Sequence, residues 1–446
     1  MKIVADENIP YVRDAFGGLG DVMALPGRAI TREAVRDAEL LLVRSITRVG
    51  RELIEGSRVR FVGTATIGED HVDTAWLAEH GVGFASAPGS NAGSVTQYVS
   101  AALLALEARL GLDLRGMKLG VVGVGNVGSR VVRAARALGM EVVLNDPPLE
   151  RVQKEKGHKG HKGPKGQEQR AGETPAPQYA GETPAPQRAG ETPAPQRAGE
   201  TPAPQYAGED AAAGTPAPQF ALDDFRPVEE VFGCDVVTLH VPLTRQGPDR
   251  TYHLVDGRFF SRLRSGAILI NTSRGSVVDG ADLKEALDLG RLGACVLDVW
   301  EGEPDIDVSL LERVFIGTPH IAGYSFDGKV NGTRMIYEAA CGFLGRAADW
   351  DPGPLLPAPE HPRVEVDGTA QSAVNSTVRA VYDIMKDDAA MRGLIRCEPG
   401  ERARFFDRLR KEYPRRREFF NTTAVVWPRN SELEARLPGL GFHVEV

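Results

Sequence analysis

Cysteine is scarce in this chain. Its 446 residues include four, Cys234, Cys295, Cys341 and Cys397, and no two form a CxxC pair. That spacing excludes a disulfide framework, argues against a zinc site, and fits a reducing cytoplasmic setting. Positive charge is also short: 53 Lys and Arg stand against 61 Asp and Glu, a net charge of −8. A nucleic-acid surface is therefore not expected. An acidic chain that handles an anion must concentrate cations locally, which makes individual arginines worth following. Long apolar runs are missing. None reaches the roughly 18 residues a membrane span requires. The opening MKIVADENIP carries Asp6 and Glu7, so no signal peptide is expected there.

What the chain does have is length for two or three domains and 42% hydrophobic residues to fill their cores. KIVAD (2–6), ELLLVRS (39–45) and VRFVGTAT (59–66) read as short buried strands with helical patterns between them. That alternation predicts an α/β fold with parallel sheets. SVTQYVSAALLALEARL (94–110) reads as a long helix, with Asn91 before it as its cap.

A second α/β unit opens at KLGVVGVGNVGSRVVRAARALGMEVVLND (118–146). It runs strand, glycine turn, helix, strand. A GxGxxG match alone is weak. Here Gly123, Gly125 and Gly128 follow a strand and open a helix, and Asp146 arrives about 20 residues later. This is the dinucleotide-binding fingerprint. The glycines admit the pyrophosphate to the helix N-terminus, where Asn126 and Val127 also lie, and Asp146 suits the ribose hydroxyls. Pro147 and Pro148 follow it rather than arginine, so NAD is expected over NADP.

After Asp146 the pattern breaks. AGETPAPQ occurs at 171–178, 180–187, 189–196 and 198–205, with a degenerate copy ending at Gln219. Such composition cannot bury a core. Residues 150–220 are expected to be a disordered or extended insert. HKGHK at 158–162 has metal-binding residue types, but its low-complexity setting argues against a site, and no metal is expected. The α/β pattern then resumes. GAILINTSRGSVVD (266–279), ACVLDVW (294–300) and VFIGTPHIAG (314–323) read as strands. Arg274, Asp298, Glu303 and His320 all fall just after strands, on the edge where such sheets bind ligands.

The blocks VVGVGNVG, LHVPLT, INTSRGSVVD, LDVWEGEP and GTPHIAG, in this order, resemble the D-isomer-specific 2-hydroxyacid dehydrogenase family. The resemblance implies a doubly wound Rossmann NAD domain, a flavodoxin-like substrate domain formed by both flanks, and NAD as cofactor. It implies an Arg–Glu–His catalytic set, here Arg274, Glu303 and His320. In that set His320 takes the hydroxyl proton, Glu303 orients it, and Arg274 binds the substrate carboxylate. Thr272, Asp298 and Gly323 join the glycine loop as expected cofactor contacts. Further blocks, among them MKIVADENIPY, VRSIT, FVGTATIGEDHVD and HIAGYSFDGKVNGT, resemble a branch that acts on a phosphorylated 2-hydroxy acid and pairs as a homodimer. That branch implies Ser45, Thr66 and Tyr324 as substrate contacts. Arg44 is our own candidate for the phosphate, against a structural ion pair. Arg274 paired with Asp279, and a loop carboxylate left in solvent at Glu303, are the plain alternatives for those residues. The run PRRR at 414–417 reads as a solvated or subunit-facing surface.

The expected organisation is a substrate domain at 1–92, an NAD domain at 93–320 carrying the insert, a return to the substrate domain at 321–347, and a small α/β dimerisation domain at 348–446. Related substrates, 3-phosphoglycerate or hydroxypyruvate, would use the same catalytic set. Retention of Arg274, Glu303 and His320 does not exclude a scaffold that only senses NAD.

Overall fold

The chain folds around three parallel sheets. The computed structural model describes residues 1–159 and 220–446, so the repeat tract and the HKGHK side chains lie outside the described residues. In the first sheet, β1 (Lys2–Asp6), β2 (Asp21–Leu25), β3 (Leu40–Val43), β4 (Phe61–Thr64) and β5 (Gly83–Ala85) align in the order β2-β1-β3-β4-β5. This is the flavodoxin-like order. β3 and β4 are buried throughout, because helices cover both faces; hence their unbroken apolar runs. β2 and β5 were not legible in the sequence. Each is a short edge strand, one interrupted by exposed Asp21 and Met23 and the other only three residues long.

The second sheet contains β6 (Lys118–Val122), β7 (Glu141–Asn145), β8 (Val236–Leu239), β9 (Ala267–Asn271), β10 (Leu292–Leu297) and β11 (Ile316–Gly317), in the order β11-β10-β9-β8-β6-β7. The winding reverses between β6 and β8. Ligands of open α/β sheets bind outside the carboxyl ends of the strands at such a point. The helix Ala92–Leu110 packs with this sheet and is buried on most sides. The helix Phe326–Leu344 returns to the first sheet, where Ile336, Tyr337, Ala340 and Cys341 share a core with Ile3, Leu40 and Phe61.

The expected loop at 150–220 begins differently. Pro147–Lys159 is helix. Proline is pre-organised for a first helical turn, the Leu149 amide donates to Asp146 Oδ1 at 2.9 Å, and Lys154 pairs with Glu150 one turn away. These local contacts outweigh the polar composition.

In the C-terminal region β12 (Arg363–Asp367), β13 (Thr423–Trp427) and β14 (His443–Glu445) form a three-stranded parallel sheet in chain order. Its core is continuous with that of the second sheet: Val366, Phe419, Leu433 and Leu437 pack in one cluster with Ala102, Val132 and Ala135. The PRRR run is partly inside this junction, which corrects the reading of a solvated surface. Of its arginines only Arg415 is exposed. Arg416 donates to Gln97 Oε1 at 2.8 Å and Ser94 Oγ at 2.7 Å and lies over the Tyr382 ring. Arg417 pairs with Asp327 at 2.9 Å, their side chains 8% and 6% exposed. Buried guanidinium groups are tolerated when paired or hydrogen-bonded, as both are here, although Arg416 Nε itself has no partner.

Asp327→Ala would leave Arg417 buried without its counter-charge. A loss of about 3–5 kcal/mol is the scale for breaking such a pair from one side. We expect a clearly lowered midpoint in urea unfolding, and an unchanged midpoint would show that the pair does not hold this junction.

Candidate functional site

The glycine loop between β6 and the helix Asn126–Ala137 is shaped by three different constraints. Gly123 has φ 89, a left-handed conformation that strains other residues, and a Cβ there would lie 2.6 Å from the His240 carbonyl oxygen. At Gly128 a Cβ would lie 2.0 Å from the Gly123 carbonyl oxygen. Gly125 has nothing within 4 Å of that position, so the space before the helix is open. The first amides of a helix lack internal partners and favour an anion there. Asp146 ends β7 with Oδ2 accepting from the Val124 amide at 2.7 Å. This cradle fits a dinucleotide: an open pyrophosphate position, a carboxylate at the strand end, and prolines rather than a cation after it.

The neighbouring candidates are partly engaged. The Asn126 side chain sits against Gly89, where a Cβ would come within 2.9 Å of its Cγ. Thr272 Oγ1 lies 3.4 Å from His240 Nδ1. Gly323 packs on the Asn91 side chain. Asn91 stands at the expected cap position but makes no side-chain capping bond, since it is turned toward that glycine, and its buried Oδ1 has no partner.

Residues after β9, β10 and β11 meet at the carboxyl edge of the sheet. His320 Nδ1 and Glu303 Oε2 are 2.7 Å apart, and Glu303 Oε1 accepts from the Trp300 amide at 2.7 Å. Glu303 is therefore no solvated loop acid. Burial alone would raise its pKa, but His320 and the Trp300 amide outweigh it and hold the carboxyl below its ordinary value. With Nδ1 on Glu303, the other ring nitrogen of His320 is left for a ligand. His320 has φ 56, a conformation worth roughly 1–2 kcal/mol of strain outside glycine.

Asp298 overcomes that strain. It is 1% exposed and accepts from Thr318 Oγ1 at 2.6 Å, the Ile321 amide at 2.8 Å and the Ala322 amide at 2.9 Å. Its backbone carbonyl accepts from the His320 amide at 2.7 Å. Tyr98 Oη, on the long helix, lies 2.7 Å from Thr318 Oγ1. Burial pushes the Asp298 pKa up. Both of its carboxylate oxygens are hydrogen-bonded within the 318–322 loop.

Arg274 reaches the other sheet. Its Nη1 donates to the Ser273 carbonyl at 2.8 Å, and its Nε lies 3.4 Å from Asp70 Oδ2. The alternative pairing with Asp279 is not formed, because Asp279 caps the helix Gly280–Asp288 and pairs with His253. On the first sheet, Thr66 Oγ1 donates to the Gly68 carbonyl at 3.0 Å and lies 2.8 Å from Thr64 Oγ1. Ser45 is exposed and Arg44 half-buried. The Tyr324 ring is flanked by Lys329 Nζ at 4.3 Å and the Arg410 guanidinium at 5.7 Å. Neither cation was singled out from sequence. Arg410 belongs to FDRLRKEY, which carries no motif and reaches the site only through C-terminal packing. A separate cavity of about 810 Å³, lined by Arg130, Arg133 and Arg334 among others, contains none of the Arg274, Glu303 and His320 set.

An open dinucleotide cradle beside a carboxylate-oriented imidazole and an arginine defines a class, the NAD-dependent 2-hydroxyacid dehydrogenases. The model of the D-isomer specific 2-hydroxyacid dehydrogenase NAD binding domain matches residues 91–164 and 215–322. A domain of unknown function matches 355–441. The fold is similar to D-lactate dehydrogenase from Aquifex aeolicus, solved with NAD and lactic acid (TM-score 0.52, 21% identity, 77% of this chain and 96% of that one). It is also similar to NAD-bound 3-phosphoglycerate dehydrogenase of Entamoeba histolytica (TM-score 0.54, 20% identity, 77% and 95% covered). Two curated relatives match along the whole length. One, from Marinobacter nauticus, is 38% identical over 449 residues, 100% of both chains. The other, from Klebsiella pneumoniae, is 40% identical over 445 residues, 99% of this chain and 98% of that one. Both are named erythronate-4-phosphate dehydrogenase, and the chain belongs to that family. It is an NAD-dependent oxidoreductase.

Two histidines near the cleft stay neutral. Burial pushes His240 down to about 3 and His71 to about 4, against about 6.5 unfolded. Below about pH 6.5 the unfolded chain therefore binds protons that these folded histidines refuse, and stability falls with pH. His240→Asn is expected to lose less of its urea midpoint than the wild type between pH 6.5 and 5. Equal losses would show that His240 does not contribute.

Proposed function

We propose that the chain oxidises 4-phospho-D-erythronate to 2-oxo-3-hydroxy-4-phosphobutanoate with NAD, in vitamin B6 (pyridoxal 5'-phosphate) biosynthesis. The observation that carries this reading is the 2.7 Å His320–Glu303 pair, on the sheet edge that also bears Arg274. The names of the full-length relatives supply the substrate.

His320 is the base. Its free ring nitrogen takes the C2 hydroxyl proton, while Glu303 fixes the tautomer and stabilises the imidazolium. Arg274 binds the substrate carboxylate, for which its planar fork is suited. The substrate displaces the long contact to Asp70. NAD, when bound, accepts the hydride that leaves C2. Gly123, Gly125, Asn126, Val127 and Gly128 would hold its pyrophosphate end, Asp146 its ribose, and Thr272 and Gly323 its far side. Ser45, Thr66 and Tyr324 line the substrate. Residues 1–92 with 321–347 would work as a lid over 93–320, since the chain crosses between them twice and the Arg274–Asp70 contact spans them.

We also take the protein to be a cytoplasmic homodimer paired through residues 348–446. Trp427, 75% exposed on β13, and four free cysteines support this. Trp427→Ser should shift sedimentation toward a monomer. A wild type that sediments as a monomer would rule the dimer out.

The deciding assay offers purified protein NAD with 4-phospho-D-erythronate or 3-phosphoglycerate. Selective turnover of the erythronate is expected, and His320→Ala should lower kcat by roughly 10²–10⁴, the usual scale of acid–base catalysis. Turnover of 3-phosphoglycerate alone would overturn the substrate. A near-normal rate in His320→Ala would remove the base.

A further inference from the structure

Like charges gathered in a partly buried place cost energy unless an anion joins them. Lys329, in the first turns of the helix Phe326–Leu344, and Arg410, on the helix Arg402–Lys411, approach the same Tyr324 ring at 4.3 and 5.7 Å. Arg44, at the end of β3, lies within electrostatic reach of Lys329. All three are half-buried. Among the described residues none of them has a carboxylate within ion-pair distance, whereas most other arginines near acids are paired. The buried Nε of Arg410 has no hydrogen-bond partner. Its charge is opposed by burial and favoured by Tyr324, which it also hydrogen-bonds, and by Glu303 and Asp298; both of those carboxylates are committed, one to His320 and the other to the 318–322 loop. Burial and the two arginines push the Lys329 pKa down to about 8. In a chain of net charge −8, this gathers three cations near the Glu303–His320 pair, none of them in an ion pair among the described residues.

We propose that Lys329 and Arg410, with Arg44 within electrostatic reach, form the subsite for the substrate's phosphate dianion, so that the C-terminal region supplies a substrate-binding residue to the active site. This rests on the reading of the substrate as a phosphorylated 2-hydroxy acid. Lys329 lies nine residues and Arg410 ninety residues beyond His320 along the chain, and both approach Tyr324. The subsite is separate from the glycine loop that serves the cofactor.

The test uses the full chain saturated with NAD, so that the pyrophosphate cradle is filled, and titrates inorganic phosphate calorimetrically. Wild type should bind phosphate. Lys329→Met and Arg410→Met should each weaken it by about 10- to 100-fold, the scale of a lost charge-assisted hydrogen bond. The KM for the phosphorylated substrate should rise with it, the KM for NAD should not, and Arg410→Lys should recover part of the loss. If a methionine variant does not fold, Lys329→Gln and Arg410→Gln carry the same comparison. Absence of phosphate binding in wild type at millimolar concentration, or unchanged affinity in the variants, overturns the subsite. Phosphate binding lost in the variants, with no oxidation of 4-phospho-D-erythronate by wild type, would keep the subsite and overturn the substrate reading instead.

Discussion

The buried carboxylate of Asp298 is the constraint on which the site depends. His320 adopts a backbone conformation that a non-glycine residue enters only at a cost. Three hydrogen bonds from Thr318, Ile321 and Ala322 converge on Asp298 and fix the loop on both sides of it. The network continues through Thr318 to Tyr98 in the long helix and through the Trp300 indole, which donates to the Thr318 carbonyl. A buried charge is tolerated when it is fully hydrogen-bonded. Here that requirement aims an imidazole: once the loop is fixed, His320 has one nitrogen on Glu303 and the other available.

The C-terminal region is built into the same framework. Its helices pack on the second sheet in a shared core, and Arg416 and Arg417 tie it to the helix Ala92–Leu110 and to the first turn of Phe326–Leu344. Those two helices flank the junction between the two larger sheets. A region that looks like an appendage in sequence is thus placed to set the geometry of the cleft and to bring Arg410 next to Tyr324.

Electrostatics divide along the same lines. The chain is acidic overall, yet Lys329 and Arg410 flank the Tyr324 ring and Arg274 stands at the edge of the second sheet. Nearby histidines are kept neutral by burial. The acids nearby are engaged with protein groups, Glu303 with His320 and Asp298 with the 318–322 loop.

The sequence by itself determined the parallel α/β class, the glycine loop and its partner Asp146, and the positions of Arg274, Glu303 and His320 after strands. These are written in local periodicity and spacing, which short-range sterics enforce. Tertiary structure alone decided the rest. It made Asp298 a structural carboxylate, paired Arg274 with Asp70, turned Asn91 away from its helix, and buried two arginines of a run that reads as solvated. It also decided the edge strands β2 and β5, one broken by exposed Asp21 and Met23 and the other only three residues long. Each of these depends on a partner far along the chain, and desolvation or hydrogen bonding with a distant residue leaves no periodic trace in the sequence.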